Sequence, residues 1–391
     1  MKILHISYSD AEGGAGVACL RLHKLLLKNK IDSTLLVINK HSSVNSVFSV
    51  TERNIFLYVY FKIINRISEL ILKLDSLFVR KRRDIHRSLN VFPNKLVNII
   101  NSYEADIIHL HWINGEMLSI YDIKKISGNI IWTLHDSWPF LSTYHHDLGL
   151  NLSNLDKCIL NIKAKHYPDN LSFISPSHWM KKQFLSSIIS SGYNCKVIPN
   201  LVTEALKNDF ADTRISNSGV VNVLIGSVNF YNNSNKGFNS LIKIIDSVKG
   251  NENIIFNIFG ESELHESLVK FKNVNILGII NDEQKMLKIM SESDWVFNLS
   301  KIESFGLVAC ESISIGTPVI CFNTSGLRDI VKNDITGYIF NEVDEIISFI
   351  NTNSNFYKSK QLHNKCLAFY QENFSEEIII NSHIQYYEQT L

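Results

Sequence analysis

Ser300-Lys301-Ile302-Glu303-Ser304-Phe305-Gly306-Leu307-Val308-Ala309-Cys310-Glu311 decides the reading of this 391-residue chain. An apolar run at 295–299 precedes it and reads as a strand, and the stretch then opens a helix. Glu303 falls in the loop at the strand's end, where doubly wound sheets bind ligands. Glu311 falls a couple of turns into the helix. The backbone N–H groups around Ser304, Phe305, Gly306 and Leu307 would point at an anion, since the first amides of a helix lack partners. Carboxylates suit sugar and ribose hydroxyls because each accepts several hydrogen bonds. Gly316-Thr317-Pro318-Val319-Ile320, just downstream, makes the pattern specific.

Outward from this stretch, apolar runs alternate with helical patterns. Strands are predicted at 2–7, 34–38, 106–110, 130–134, 172–175 and 196–198 in the first half. In the second half they fall at 220–225, 254–259, 274–277, 295–299 and 318–322. Uninterrupted Val/Ile/Leu runs suggest parallel strands covered on both faces. The fold class is therefore α/β, with two doubly wound domains. The domains are placed at 1–200 and 201–370. A helical segment follows at 371–391, with Ser375 as a candidate N-cap, and is expected to pack back on the N-terminal domain.

Composition narrows the class. Hydrophobic residues make up 45% and charged residues 20%, which excludes a disordered chain. A net charge of +1 argues against a dedicated nucleic-acid binder. The sum hides an asymmetry: residues 1–200 carry +9 and residues 201–391 carry −8. Six scattered Cys with no Cys-x-x-Cys pair read as reduced thiols, hence cytoplasm. The first apolar run reads as a strand, not a signal peptide. Segment 55–74 is interrupted by Lys62, Asn65, Arg66, Glu69 and Lys73, so it is too polar to span a bilayer. It reads as an amphipathic helix, packed on its own domain or lying on a membrane. Arg80-Lys81-Arg82-Arg83 beyond it supports an anionic membrane surface.

Glu12-Gly13-Gly14-Ala15-Gly16 joins the first strand to a helical pattern at 17–27. Glycines there let backbone approach a ligand, and the helix N-terminus favours an anion. The dinucleotide fingerprint fails, because its last glycine would be Cys19. Histidines crowd the first half: His109, His111, His135, His145, His146 and His166. No metal-ligand spacing links them. His109 and His111 share one face of a strand, and at least one reads as a core or cleft histidine. His135 ends a strand beside Asp136, a site-like position.

These residues together resemble the retaining family 4 glycosyltransferases, which have the GT-B fold. Glu303…Glu311 resembles the family's paired-glutamate element. Gly316-Thr317-Pro318-Val319, Ser293-Asp294-Trp295-Val296, Ile198-Pro199-Asn200 and Lys236-Gly237-Phe238 resemble further family elements. His109-Leu110-His111-Trp112 and 132–138 resemble a bacterial polysaccharide-assembly branch.

The resemblance implies two Rossmann-like domains facing each other across a cleft, the second binding the nucleotide sugar. It implies transfer of a sugar from a nucleotide diphosphate sugar to a glycan hydroxyl. The acceptor would be a lipid-diphosphate-linked oligosaccharide, as in O-antigen or capsule assembly. His135, Glu303 and Lys236 would be catalytic. Gly14, Ala15, Gly16, Ser304, Phe305, Gly306, Leu307 and Glu311 would bind the donor. Glu303 would hold the sugar, Glu311 the ribose, and Lys236 with backbone amides the diphosphate. No cofactor and no metal are expected, and no Asp-x-Asp triplet occurs. The enzyme would be cytoplasmic, peripheral on the inner face of the cell membrane, with no nucleic-acid partner.

One departure stands out. The family places an Arg five residues before its Lys, and here that position is Tyr231, with Arg328 as a weak substitute. Two other readings stay open: a GT-B sugar-nucleotide epimerase or hydrolase, and a non-catalytic nucleotide-sugar-binding subunit.

Overall fold

The computed structural model describes residues 1–52, 55–78, 86–147, 149, 151–202, 219–353 and 356–391. The cluster Arg80–Arg83 and most of the polar stretch from Asn208 to Gly219 lie outside them. The chain divides into two compact units, one of residues 1–201 with 379–391, the other of 202–378.

The first unit holds a seven-stranded parallel sheet. Its strands are β1 (Lys2–Ser9), β2 (Asp32–Asn39), β3 (Val47–Ser49), β4 (Ile107–Leu110), β5 (Asn129–Thr133), β6 (Leu171–Ser175) and β7 (Cys195–Val197). Their order is β3-β2-β1-β4-β5-β6-β7. The helices are α1 (Gly13–Lys28), α2 (Ile55–Phe78), α3 (Leu96–Ser102), α4 (Ile120–Ile123), α5 (Asn154–His166) and α6 (His178–Leu185).

The second unit holds a six-stranded parallel sheet of β8 (Val221–Gly226), β9 (Ile254–Phe259), β10 (Val274–Gly278), β11 (Trp295–Asn298), β12 (Val319–Phe322) and β13 (Gly337–Phe340). Their order is β10-β9-β8-β11-β12-β13. Around it lie α7 (Phe238–Ser247), α8 (Glu283–Glu292), α9 (Leu307–Ser314), α10 (Leu327–Ile330), α11 (Val343–Thr352) and α12 (Lys360–Phe374). The last helix, α13 (Glu376–Thr390), enters the first unit from Ile379 onward.

The strands form where the sequence is continuously apolar because helices cover both faces. Ile130, Ile131 and Trp132 of β5 are all buried. Burying side chains of this size contributes about 1.5–3 kcal/mol each. β3 and β13 extend the sheets beyond the strands read from sequence.

The segment set at 371–391 divides. Residues 371–374 finish α12 in the second unit, where Phe374 packs against Phe305 at 5.9 Å between ring centroids. Residues 379–391 pack in the first unit, and Tyr386 donates from its hydroxyl to the Phe173 carbonyl at 3.1 Å.

Candidate active site

In the second unit β11 is central, paired with β8 and β12, and all four of its residues are buried. The chain leaves its C-terminal end into the Glu303 loop, which is held from two sides. Asn235 clamps one side: its Nδ2 donates to the Ile302 carbonyl at 2.8 Å, and its Oδ1 accepts from the Ile302 amide at 2.9 Å. Its own carbonyl accepts from the Lys301 amide at 2.8 Å. On the other side Ser325 Oγ accepts from the Glu303 amide at 2.9 Å. The Gly326 amide donates to the Glu303 carbonyl at 2.8 Å. With its backbone tied down, the Glu303 carboxylate meets Lys236 Nζ at 2.6 Å.

Backbone geometry delivers both partners. Gly237 has φ +82°, and a Cβ there would lie 2.2 Å from the Leu299 carbonyl oxygen, so Lys236 is carried against the end of β11. Gly306 has φ +106° and caps α9 with no side-chain bond. Only glycine adopts such a φ without strain. Phe305 is buried beside it in the core, so its side chain anchors the loop. The amides of Leu307, Val308 and Ala309 precede the first α9 bond, from the Cys310 amide to the Gly306 carbonyl at 3.1 Å. That leaves a positive helix end beside Ser304, which is half-buried. Glu311, also half-buried, follows Leu307 by four residues and so shares its side of the helix.

Tyr231 does not replace a cation. Its amide donates to Glu261 at 2.9 Å, its hydroxyl to the Glu263 carbonyl at 3.0 Å, and its ring packs on Phe238. Arg328 is exposed on α10, two residues past Gly326.

In the first unit the glycines read as a loop belong to a helix. α1 begins at Gly13, so Gly14, Ala15 and Gly16 form its first turn. Gly14 is exposed, Ala15 half-buried and Gly16 buried. A Cβ on Gly16 would lie 2.8 Å from the Ser9 carbonyl, so Gly16 serves close packing of α1 on β1. Asp10, buried before this turn, accepts from the amides of His41 and Ser42 at 2.8 and 2.9 Å. Burial alone would raise its pKa, but the bonds from Ser42 and His41 bring it below the usual value.

His135 lies two residues past β5. Its Nε2 shares a hydrogen bond with His111 Nδ1 at 2.9 Å. Burial pushes its pKa down to about 4 against the opposing pull of Asp136. Asp136 faces elsewhere: it accepts from His145 Nδ1 at 2.6 Å, Trp112 Nε1 at 2.9 Å and the Trp138 amide at 2.9 Å. Burial would raise its pKa, yet His145 beside it keeps the carboxylate well below its usual range. Lys163 fixes the following loop by donating to the carbonyls of Trp138, Leu141 and Ser142.

His5, His109 and His111 each bring one ring nitrogen within 4.8 Å of the others, close enough to hold a metal ion. His5 Nε2 is buried without a hydrogen bond, while the other ring nitrogens of the trio are engaged in them. His109 engages Tyr387 and Thr133, each at 2.8 Å, and His5 Nδ1 meets His111 Nε2 at 3.0 Å. His145 belongs to the Asp136 network, and His166 sits on α5 against Lys124.

Sequence reasoning missed Asn235, Ser325, Asp10 and His5. Asn235 adjoins Lys236, the one local signal among them. Two depressions, of about 730 and 510 Å³, are lined by none of the candidate site residues.

The chain is similar to known proteins over most of its length. The family model described as Glycosyl transferases group 1 matches residues 223–368. A 41.2 kDa protein of the cps region of Klebsiella pneumoniae is 27% identical over 99% of both chains. The putative colanic acid biosynthesis glycosyl transferase WcaC of Escherichia coli is 22% identical over 85% of both. Among solved structures, Anabaena HepE in complex with UDP and glucose superposes with a TM-score of 0.65, at 16% identity over 100% of both chains. The fold is GT-B, the second unit is similar to the glycosyl transferases group 1 model, and the chain is a glycosyltransferase.

Proposed function

We propose that the chain is a retaining, metal-independent glycosyltransferase that moves a hexose from a nucleotide diphosphate sugar to a hydroxyl of a lipid-linked glycan in surface polysaccharide assembly. The observation that carries this reading is the Lys236–Glu303 pair at 2.6 Å, set beside the open amides of α9. A leaving diphosphate needs fixed positive charge where negative charge develops, and the lysine and helix end supply it. When the diphosphate draws Lys236 away, Glu303 is released to accept bonds from sugar hydroxyls. Glu311 takes the ribose, and Ser304, Gly306 and Leu307 offer backbone contacts. We assign His135 to the transferred sugar and the first turn of α1, Gly14 to Gly16, to the diphosphate. Retention then proceeds by same-face attack, the leaving phosphate taking the acceptor proton. The cps and colanic acid relatives support a polysaccharide acceptor.

The lipid-linked acceptor rests on α2. Leu57, Phe61 and Leu72 are buried, while Phe56, Val59, Ile63, Ile67, Leu70, Leu74 and Leu77 form an exposed apolar stripe at helical spacing. Lys62, Arg66 and Lys73 accompany it, and the sequence continues into Arg80-Lys81-Arg82-Arg83. An apolar stripe flanked by cations suits an anionic lipid surface. No described helix is long and apolar enough to cross a membrane. The test supplies nucleotide sugars with and without lipid-diphosphate glycans in anionic vesicles. Glycan extension that needs the acceptor is expected. Epimerised or hydrolysed donor without acceptor would overturn the transfer reading, and no vesicle binding at low salt would overturn the membrane part.

A further inference from the structure

Three histidines of the first unit form a hydrogen-bonded chain: His5 Nδ1 to His111 Nε2 at 3.0 Å, and His111 Nδ1 to His135 Nε2 at 2.9 Å. The sheet builds it. β1 and β4 are parallel neighbours with His5 opposite His109, and the His111 amide continues the pairing by donating to the Ile6 carbonyl at 2.9 Å. His5 and His111 are buried, and burial holds both well below the ordinary histidine pKa. All three rings are therefore neutral near pH 7, with one N–H each.

One proton per ring leaves two orders that keep both hydrogen bonds. In the first, each proton points toward His135: His5 and His111 are protonated on Nδ1, and His135 keeps its proton on Nδ1. In the second, each points toward His5, which then carries an N–H on Nε2. His5 Nε2 is buried with no partner. The second order would orphan a buried donor there, and the first leaves only a bare acceptor. Orphaned buried N–H groups are the rarer of the two. The outer end of the chain is open as well. Among the described residues, His135 Nδ1 has no hydrogen-bond partner, and the ring borders a small cavity shared with His111, Thr133 and His383.

We infer that the buried His5–His111 pair fixes His135 in its Nδ1–H tautomer, so that His135 serves the bound sugar nucleotide as a hydrogen-bond donor and not as a base. His111 is then a positioning residue. The substrate part of this inference rests on the function proposed above; the proton order does not.

Two-bond ¹H–¹⁵N correlation spectra of the full chain with labelled histidine test it, since they separate protonated from bare ring nitrogens without any substrate. His111 and His135 are expected protonated on Nδ1 and bare on Nε2. In His111→Leu the constraint is lost, and His135 is expected to move toward the Nε2–H form that a free neutral imidazole favours. In His111→Asn the amide nitrogen occupies the place of Nδ1 and restores the native form. Nucleotide release from UDP-, GDP-, ADP-, dTDP- and CMP-sugars should fall about tenfold in His111→Leu, the worth of roughly one hydrogen bond, and recover in His111→Asn. A wild-type His135 protonated on Nε2 overturns the inference, and that spectrum decides even where His111→Leu fails to fold. A changed tautomer with unchanged nucleotide release overturns the substrate role alone. No release from any donor overturns the transferase reading, while the spectrum still judges the relay.

Discussion

Gly326→Ala should disable the enzyme without removing any group that touches substrate. Gly326 has φ −67°, so alanine meets no backbone strain there. The obstacle is space. A Cβ would lie 2.5 Å from the Ser304 carbonyl oxygen and 3.0 Å from that of Glu303. Ordinary contact begins at 3.4 Å, so Ser304 would have to retreat by 3.4 − 2.5, roughly 0.9 Å. That shift acts on the loop that aims Glu303, and it stretches the 2.8 Å bond from the Gly326 amide to Glu303. A misplacement of about 1 Å costs on the order of 10²-fold in rate. Overpacking of this kind destabilises by about 1–3 kcal/mol, and a unit of this size loses roughly 2–4 °C of Tm per kcal/mol. The assay is kcat/KM beside a thermal melt, with Gly250→Ala as control, because a Cβ on Gly250 meets nothing within 4 Å. The expected result is a folded Gly326→Ala protein about a hundredfold slower, with the control unchanged. Gly326→Ala turning over within about twofold of wild type would refute the claim that this packing positions Glu303.

Glu303→Ala should abolish most turnover while leaving nucleotide affinity within a few fold, checked by steady-state kinetics and titration with the free nucleotide. Acid should destabilise the first unit. Burial lowers the pKa of His23 and His135 to about 4 and of His383 to about 3. Their unfolded forms titrate near 6.5, so the stabilisation is whole above that pH and is lost as pH falls toward 4, by about 1.4 kcal/mol per pH unit for each histidine. Urea midpoints should therefore be lower at pH 5 than at pH 7.5; an equal or higher midpoint at pH 5 would contradict the buried neutral state. Dialysis against EDTA should leave Tm and turnover unchanged, since His5 and His111 bond to each other and His109 bonds to Tyr387 and Thr133; a drop restored by zinc would reassign that trio as a metal site.

Much of this architecture could be read from local sequence. Runs such as Val319–Phe322 are too continuously apolar for a half-exposed strand, and the helical patterns between them require crossovers. β3 (Val47–Ser49) and β13 (Gly337–Phe340) escaped the sequence reading. The α1 start was misread because glycines signal turns, whereas Gly16 is small here so that a helix can touch β1. The paired glutamates and the lysine were legible as a spacing. Their supports were not: Asn235 reaches Ile302, 67 residues away, through a fold-level contact. The histidine chain depends on strand register. Its members are far apart in sequence, and no local pattern marks His5 as a partner of His111. The apolar outer face of α2 was also hidden, since periodicity alone shows two faces and not which one is covered.

The central claim is that Glu303, Lys236 and Glu311 frame a sugar-nucleotide site in the second unit. Thermal-shift binding of the full chain against UDP-, GDP-, ADP-, dTDP- and CMP-sugars, with Glu311→Ala alongside, tests it most directly. The account predicts stabilisation by one nucleotide class in the wild type and its loss in Glu311→Ala. A well-folded protein stabilised by no member of the panel, or equally stabilised with Glu311 removed, would contradict it.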